Sequence, residues 1–343
     1  CLIPLSARLK KRGRTAYCAC LAGLFDYNIF DLLGCPQRGA FHVFYSPAPG
    51  HPDLPEDRGL MEFVRARSAG FCMGVSLALR KLDEIISKNP CDGNIYILGS
   101  IIHNPQVVSE YGEKGVISVN SPDEIPTGAT VVVRAHGIPK TIQESLCARG
   151  IHVIDATCPK VKEACLLIER NTAAGRVLLL YGEQTHPEVK CLLSYAAAGS
   201  LVFDNFDQLR AKQLDPHKKY CLAAQTTQDR GLFDAISSEL SARDDLDLVV
   251  LHTICDATKR RQGEAIRIAA EVDFMIVAGG FDSSNTRRLA QVIESHGTRA
   301  LHVETAAELP LEELRRYRRI GLTAGASTPK KIVDEIQAAL ESL

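Results

Sequence analysis

From residue 61 to the end of the chain, short runs of consecutive apolar residues alternate with stretches at helical spacing, and this alternation constrains the fold more than any other feature. Strands buried on both faces read as unbroken Val, Ile and Leu runs, and strands that alternate with helices form parallel sheets with helices on both faces. Asn94-Ile-Tyr-Ile-Leu98, Thr130-Val-Val-Val133 and residues 151–154 make a first set of such runs. Arg176-Val-Leu-Leu-Leu-Tyr181, Leu201-Val-Phe203 and Tyr220-Cys-Leu-Ala223 make a second. Asp247-Leu-Val-Val-Leu251, Phe274-Met-Ile-Val-Ala278, Ala300-Leu-His-Val303 and Ile320-Gly-Leu-Thr323 make a third. Val75, Ala78, Leu82, Ile85 and Ile86 recur at helical spacing, and further helices are expected over 258–272, over 286–294 and from Thr328-Pro-Lys onward.

Three cysteines hold equivalent places in this pattern. Val153-Ile-Asp-Ala-Thr-Cys158-Pro reads as a buried strand handing over to a helix, with Pro159 suited to the first turn. Cys72, in Gly70-Phe-Cys-Met-Gly74, and Cys255, in Thr253-Ile-Cys-Asp-Ala-Thr258, sit alike, 86 residues before and 97 residues after Cys158. That spacing is about one small domain, so the expected architecture is α/β with three similar lobes, one cysteine apiece, at 61–158, 159–254 and 255–343. A thiol at a helix start faces free N–H groups, and its thiolate, the form that binds metal or attacks an electrophile, is expected to be favoured.

Residues 1–60 follow no such scheme. They carry a basic patch, Lys10-Lys-Arg-Gly-Arg14, and end in the Pro-rich run Ser46-Pro-Ala-Pro-Gly-His-Pro-Asp-Leu-Pro55. Met61 is the first methionine, and Met61-Glu-Phe-Val-Arg65 reads as a strand leading into Cys72. The folded protein is therefore expected to begin near Met61, with 1–60 a leader that is disordered, a product of start-site choice, or a targeting piece.

Forty basic residues against forty-one acidic ones leave a net charge of −1, which implies neither a nucleic-acid nor an anionic-membrane partner. No apolar run approaches the roughly 20 residues a membrane span needs, so a soluble, cytoplasmic protein is expected. The twelve cysteines contain no Cys-x-x-Cys pair, which counts against zinc ribbons, thioredoxin-like sites and bacterial ferredoxin runs. Cys91, Cys147, Cys165, Cys191 and Cys221 lie within apolar or helical patterns and are expected to be small core residues. Cys1, Cys18, Cys20 and Cys35 belong to the leader.

Polar residues gather where strands should end, which is where open α/β sheets place their ligand crevices. They are His103-Asn-Pro105, Ala135-His136-Gly137, Thr185-His186-Pro-Glu188, Gln225-Thr226-Thr227, Ser283-Ser284-Asn285 and Gly325-Ala-Ser327. Taken singly, each has a plainer reading as a helix cap or solvated loop. Together, hydroxyls, an amide and helix starts suit a diphosphate, and three cysteines from three lobes suit a metal or cluster joining those lobes. An iron–sulfur cube held by three thiolates leaves one iron without a protein ligand, open to a substrate oxygen.

These motifs, from Gly-Phe-Cys72-x-Gly-Val and His103-Asn-Pro through Asp-Ala-Thr-Cys158-Pro, His186-Pro-Glu188-Val, Gln-Thr226-Thr, Ile-Cys255-x-Ala-Thr and Ser283-Ser-Asn285 to Gly-Ala-Ser327, occur in order from about Met61 to the C-terminus. In this the chain resembles the 4-hydroxy-3-methylbut-2-enyl diphosphate reductases, which act last in the non-mevalonate isoprenoid pathway. The resemblance implies three α/β lobes around a central cavity and one 4Fe–4S cluster held by Cys72, Cys158 and Cys255, with one open iron. It implies that His103, His136, His186, Ser283, Ser284, Asn285 and Ser327 hold a diphosphate, that Thr226 lies near the substrate alcohol, and that Glu188 supplies the proton. It also implies an electron donor of the ferredoxin or flavodoxin type. The rival readings are an iron–sulfur electron carrier or redox sensor without a substrate, which leaves the histidines, Thr226 and Glu188 without a task, and a zinc hydrolase using cysteines and histidines together.

Overall fold

The computed structural model describes residues 5–11, 14–20, 61–88 and 95–343. The chain divides into two units, Cys1–Pro55 and Glu56–Leu343. In the first, β1 (Leu5–Lys11) and β2 (Arg14–Cys20) pair antiparallel. The rest of the expected leader, including its Pro-rich run and Cys35, lies outside the described residues, as does Cys91.

The second unit opens with β3 (Glu62–Arg65) and α1 (Met73–Lys88) and holds three four-stranded parallel sheets. The first sheet contains β4 (Ile95–Leu98), β5 (Val116–Val119), β6 (Thr130–Val133) and β7 (His152–Asp155), with α2 (Pro105–Glu113) and α3 (Lys140–Ala148) between them. After α4 (Pro159–Ala173), the second contains β8 (Val177–Tyr181), β9 (Leu201–Phe203), β10 (Lys219–Ala224) and β11 (Asp247–Val250), interleaved with α5 (Pro187–Leu193), α6 (Phe206–Arg210) and α7 (Arg230–Ser241). After α8 (Asp256–Ala269), the third contains β12 (Phe274–Ala278), β13 (Arg299–Val303) and β14 (Arg319–Ala324), with α9 (Ser284–Ser295), α10 (Leu311–Leu314) and a closing α11 (Lys330–Glu341).

The three sheets share one strand order. They read β5-β4-β6-β7, β9-β8-β10-β11 and β13-β12-β14-β3, so in each the second strand flanks the first, and the third and fourth follow on the other side. The fourth place in the third sheet is filled by β3, whose Glu62 pairs with Arg319 and whose Arg65 pairs with Leu322. The strand at Met61-Glu-Phe-Val-Arg65 therefore belongs to the third lobe and not to a first lobe spanning 61–158. Its short apolar pattern fits any parallel sheet equally well, and its partner lies at the far end of the chain. Arg65 fixes it there, donating to Asp334 and Gln337 of α11, each at 2.7 Å.

Each sheet is buried on both faces. Val75, Ala78 and Leu82 of α1 pack with Ile95, Ile97 and Val132 on one face of the first sheet, while Val131, Val133, Leu146 and Ile151 close the other. Tyr181 and Phe233, both buried, fill one side of the second sheet. All of β12 is buried, the unbroken apolar reading that central parallel strands require. No helix among the described residues is long and apolar enough to cross a membrane.

Candidate active site

The cysteines stand where the chain crosses from one lobe to the next. β3 leaves the third sheet, and past Cys72 the chain enters α1, which packs on the first sheet. β7 leaves the first sheet, and Cys158 caps α4, which packs on the second. β11 leaves the second sheet, and Cys255 caps α8, which packs on the third. Each cysteine donates its backbone N–H to a carbonyl two residues past the end of the neighbouring third strand: Cys72 to Ala326 at 3.0 Å, Cys158 to Ala135 at 2.9 Å and Cys255 to Thr226 at 3.0 Å. This cyclic crossing turns a spacing of roughly one domain in sequence into convergence in space, and all three residues line one cavity.

The thiols themselves correct one expectation. Burial pushes the Cys158 thiol up, against the N–H groups of Lys160 and Val161 at the start of α4, and the Cys72 and Cys255 thiols push it the same way. Loss of water outweighs the helix start there. A Cβ on Gly74 would meet Cys158 Sγ at 2.5 Å and Cys72 Sγ at 3.9 Å, so the glycine leaves room where two of the sulfurs approach. Among the described residues, only His103, His136 and His186 gather closely enough to hold one metal ion, with ring nitrogens within 4.8 Å of one another. The three sulfurs form no such set, and soft ligands spread around a hollow fit a cluster of several iron and sulfur atoms better than a lone zinc.

The histidines come from loops that follow first and third strands, the point in each sheet where successive connections part. His103 follows β4, and Asn104 caps α2 by accepting from Val107 N–H at 3.0 Å. His136 follows β6, and Gly137, at φ +74°, turns the chain there in a backbone conformation that side chains resist. His186 caps α5, its Nδ1 accepting from Glu188 N–H at 3.1 Å. Ring centroids lie 4.7 Å apart for His103 and His136, 5.6 Å for His103 and His186, and 5.4 Å for His136 and His186. Burial lowers the affinity of all three for a proton, His186 to about 3, and the Arg134 guanidinium adds to the effect. They are neutral imidazoles at neutral pH. His103 Nε2, His136 Nδ1 and Asn285 Nδ2 are buried without a hydrogen-bond partner among the described residues.

The third lobe supplies hydroxyls opposite the rings. Ser283 caps α9 by accepting from Thr286 N–H, and Ser327 Oγ donates to His103 O at 3.2 Å and to Ser283 Oγ at 3.4 Å. Ser284 Oγ donates to Glu183 at 2.6 Å, and Glu183 also pairs with Arg287 at 3.1 Å. Converging hydroxyls, neutral rings and the start of a helix make a cradle for an anion rich in acceptor oxygens.

Glu188 is 1% exposed. Its Oε1 accepts from Thr226 N–H at 2.6 Å and its Oε2 accepts from Thr226 Oγ1 at 3.0 Å. Burial pushes the carboxyl up to about 7, although both bonds from Thr226 favour the ionised form. Thr226 also offers its carbonyl to Cys255 N–H and, at 3.0 Å, to Thr258 Oγ1, so the carboxyl is coupled through one residue to the cysteine helix. Cys72, Cys158, Cys255, the three histidines, Glu188, Thr226, Ser283, Ser284, Asn285 and Ser327 all line the same cavity.

A protein-family model described as LytB protein matches residues 63–341. The chain belongs to the LytB family. A LytB relative from Nitratidesulfovibrio vulgaris (strain Miyazaki F), named 4-hydroxy-3-methylbut-2-enyl diphosphate reductase, is 53% identical over 283 residues, covering 82% of this chain and 100% of its own. A solved Plasmodium falciparum structure, an E-1-hydroxy-2-methyl-but-2-enyl-4-diphosphate reductase, superposes with TM-score 0.77 at 25% identity, covering 82% of this chain and 88% of its own. A second, described as (E)-4-hydroxy-3-methyl-but-2-enyl diphosphate reductase, the terminal enzyme of the non-mevalonate pathway, gives TM-score 0.58 at 36% identity over 83% of this chain and 100% of its own. The LytB cavity also contains residues that the motifs did not single out. Arg261 lines it from α8, where buried positions 258, 261, 262 and 265 keep helical spacing. A cation on the buried stripe of an amphipathic helix was the signal for Arg261. Of the five cysteines expected in the core, Cys165, Cys191 and Cys221 are buried, whereas Cys147, on the outer side of α3, is exposed.

Proposed function

We propose that this chain reduces 4-hydroxy-3-methylbut-2-enyl diphosphate to isopentenyl and dimethylallyl diphosphate, the terminal step of the non-mevalonate pathway. It is an oxidoreductase, and its allylic substrate gains two electrons and two protons as the hydroxyl leaves as water. The observation that carries this reading is the shared cavity, which gathers three cysteines from the lobe crossings, a cradle of histidines and serines, and a buried acid paired with a threonine.

Cys72, Cys158 and Cys255 hold one 4Fe–4S cluster, with one iron left without a protein ligand. When bound, the cluster delivers electrons one at a time and offers that iron as a Lewis acid to the substrate oxygen. His103, His136, His186, Ser283, Ser284, Asn285 and Ser327 hold the diphosphate, and the buried nitrogens of His103, His136 and Asn285 that lack partners are ready to meet its oxygens. Thr226 orients the substrate alcohol. Glu188 keeps its proton close to neutral pH because burial disfavours its charge, and gives it up as the hydroxyl departs. The remaining proton reaches either end of the allylic unit, which yields the two products. A ferredoxin or flavodoxin supplies the electrons, and the reaction takes place in the cytoplasm.

The test is anaerobic reconstitution of the full chain with iron and sulfide. About four irons with matching acid-labile sulfide per chain, a spectroscopic change on adding the allylic diphosphate, and turnover with a reduced donor protein are expected. A protein that takes up one zinc and no sulfide, or one that is reduced and reoxidised but leaves the diphosphate unchanged, overturns the reading.

A further inference from the structure

Arg261 has no part in the roles given above, yet it is 4% exposed and lines the cavity. Its guanidinium bridges two backbone carbonyls, Nη2 donating to Gly70 at 2.8 Å and Nη1 donating to Ala324. These two carbonyls bracket the bond that anchors a cysteine. Gly70 lies two residues before Cys72, Ala324 lies two before Ala326, and Cys72 N–H donates to Ala326 O. Arg261 thus fastens α8, the helix that begins beside Cys255, to the loop that carries Cys72.

The two carbonyl bonds engage two of the guanidinium's five N–H donors and bring no negative charge beside it. No carboxylate among the described residues lies within 4.0 Å of it. Glu264, the acid whose field it feels, gives its two oxygens to the N–H groups of Arg67 and Ser68, each at 2.9 Å. Burial pushes the guanidinium down to about 10, so it still carries its charge at neutral pH. A buried cation with no anion beside it is a heavy penalty for a fold to keep, and such charges are normally paired. Cys72, on the loop that Arg261 clamps through Gly70, lines the same cavity as the guanidinium.

We propose that Arg261 is the built-in counter-charge of the three-cysteine centre, a positioning residue that fixes Cys72 through Gly70 and Ala324 and favours the centre's more reduced, more negative state. The proposal rests on the cluster reading given above. A bare clamp needs only hydrogen-bond donors, whereas a counter-charge needs a cation, and two substitutions separate them. Arg261→Lys keeps the charge and loses the fork. Arg261→Gln keeps an amide donor and loses the charge.

Each full-length variant is reconstituted anaerobically, its iron and acid-labile sulfide are counted, and its midpoint potential is measured by redox titration followed by electron paramagnetic resonance. Arg261→Lys is expected to titrate at the parent potential, with a loss of loading smaller than that of Arg261→Gln because the charge stays while the bridge between Gly70 and Ala324 goes. Arg261→Gln is expected either to lose the cluster or to hold it with at least a tenfold weaker preference for the added electron, a fall of about 59 mV for a one-electron couple. Full loading at the parent potential in Arg261→Gln, or losses in Arg261→Lys equal to those in Arg261→Gln, overturns the proposal. A parent chain that takes up no iron and sulfide sinks the cluster reading itself, an outcome seen before any variant is compared.

Discussion

Replacing Glu188 by Gln is expected to move activity and stability in opposite directions. The side chain is isosteric, and the amide oxygen can still accept from Thr226 N–H, now 2.6 Å from Oε1, while the Thr226 hydroxyl rotates to accept from the new amide group. The loss in hydrogen bonding is about 1 kcal/mol. Against it stands the burial of the native carboxyl, which rises from 4.5 to about 7, a difference of about 3 kcal/mol between its two protonation states. A carboxyl raised on folding leaves stability untouched below its unfolded value, and the penalty grows as pH climbs from about 4.5 to about 7, where it is complete. Glu188→Gln escapes it. The variant should therefore match the parent or fall slightly below it at pH 4.5 and exceed it by about 2 kcal/mol at pH 8, read by urea denaturation at both pH values. Turnover should fall about 10²- to 10⁴-fold, the usual contribution of a positioned acid. The parent's rate should also decline as pH rises through about 7, and the residual rate of the variant should not. A variant that turns over the allylic diphosphate at the parent rate, or one that is less stable than the parent at pH 8, refutes the account of a buried, proton-holding acid.

Three further outcomes follow from the cavity. Gly74→Ala forces a Cβ to within 2.5 Å of Cys158 Sγ, an overpacking of about 1–3 kcal/mol, and should lower iron and sulfide content per chain while leaving the circular dichroism spectrum in place. Serine at Cys72, Cys158 or Cys255 should remove most of the bound iron, whereas serine at Cys165 or Cys191, whose sulfurs lie 3.8 Å apart in the core of the second lobe, should leave it; equal iron loss in all five would show that folding and not ligation is being measured. Because burial keeps His103, His136 and His186 neutral, an anion seated among them should raise their proton affinity, so inorganic diphosphate binding at pH 6.5 should take up protons. Calorimetry in two buffers of different ionisation heat checks this, and identical heats would contradict it.

Much of this arrangement was legible in the residues. The unbroken apolar runs located the central strands β6 and β12 to the residue, because central parallel strands have no polar face to blur their edges. The edge strand β5 escaped notice, since Val116-Ile-Ser-Val119 exposes its two middle residues and lacks such a run. The place of β3 was hidden for a different reason. A parallel strand's partner is chosen by topology, and nothing in Glu62-Phe-Val-Arg65 points to Arg319 and Leu322. The motif residues line one cavity, but burial pushes the Cys158 thiol up where a helix start alone would favour its thiolate, a property that emerges only once three lobes close over the site. Arg261 went unread because a basic residue on a helix is normally solvated, and only the burial of its whole stripe marks it out.

The pairing of β3 with β14 has a consequence for how the protein is made. A ribosome releases β3 early, but the strand has no sheet to join until Arg319–Ala324 emerges, and Cys72 lacks its Ala326 anchor until then as well. The first and second sheets can mature as they appear, while the third, and with it the ring of sulfurs, closes only when synthesis is nearly done. A chain truncated before residue 326 would keep most of its helices and strands yet leave the Cys72 loop without the carbonyl that anchors it, so the proposed cluster would have to be installed in a nearly complete polypeptide.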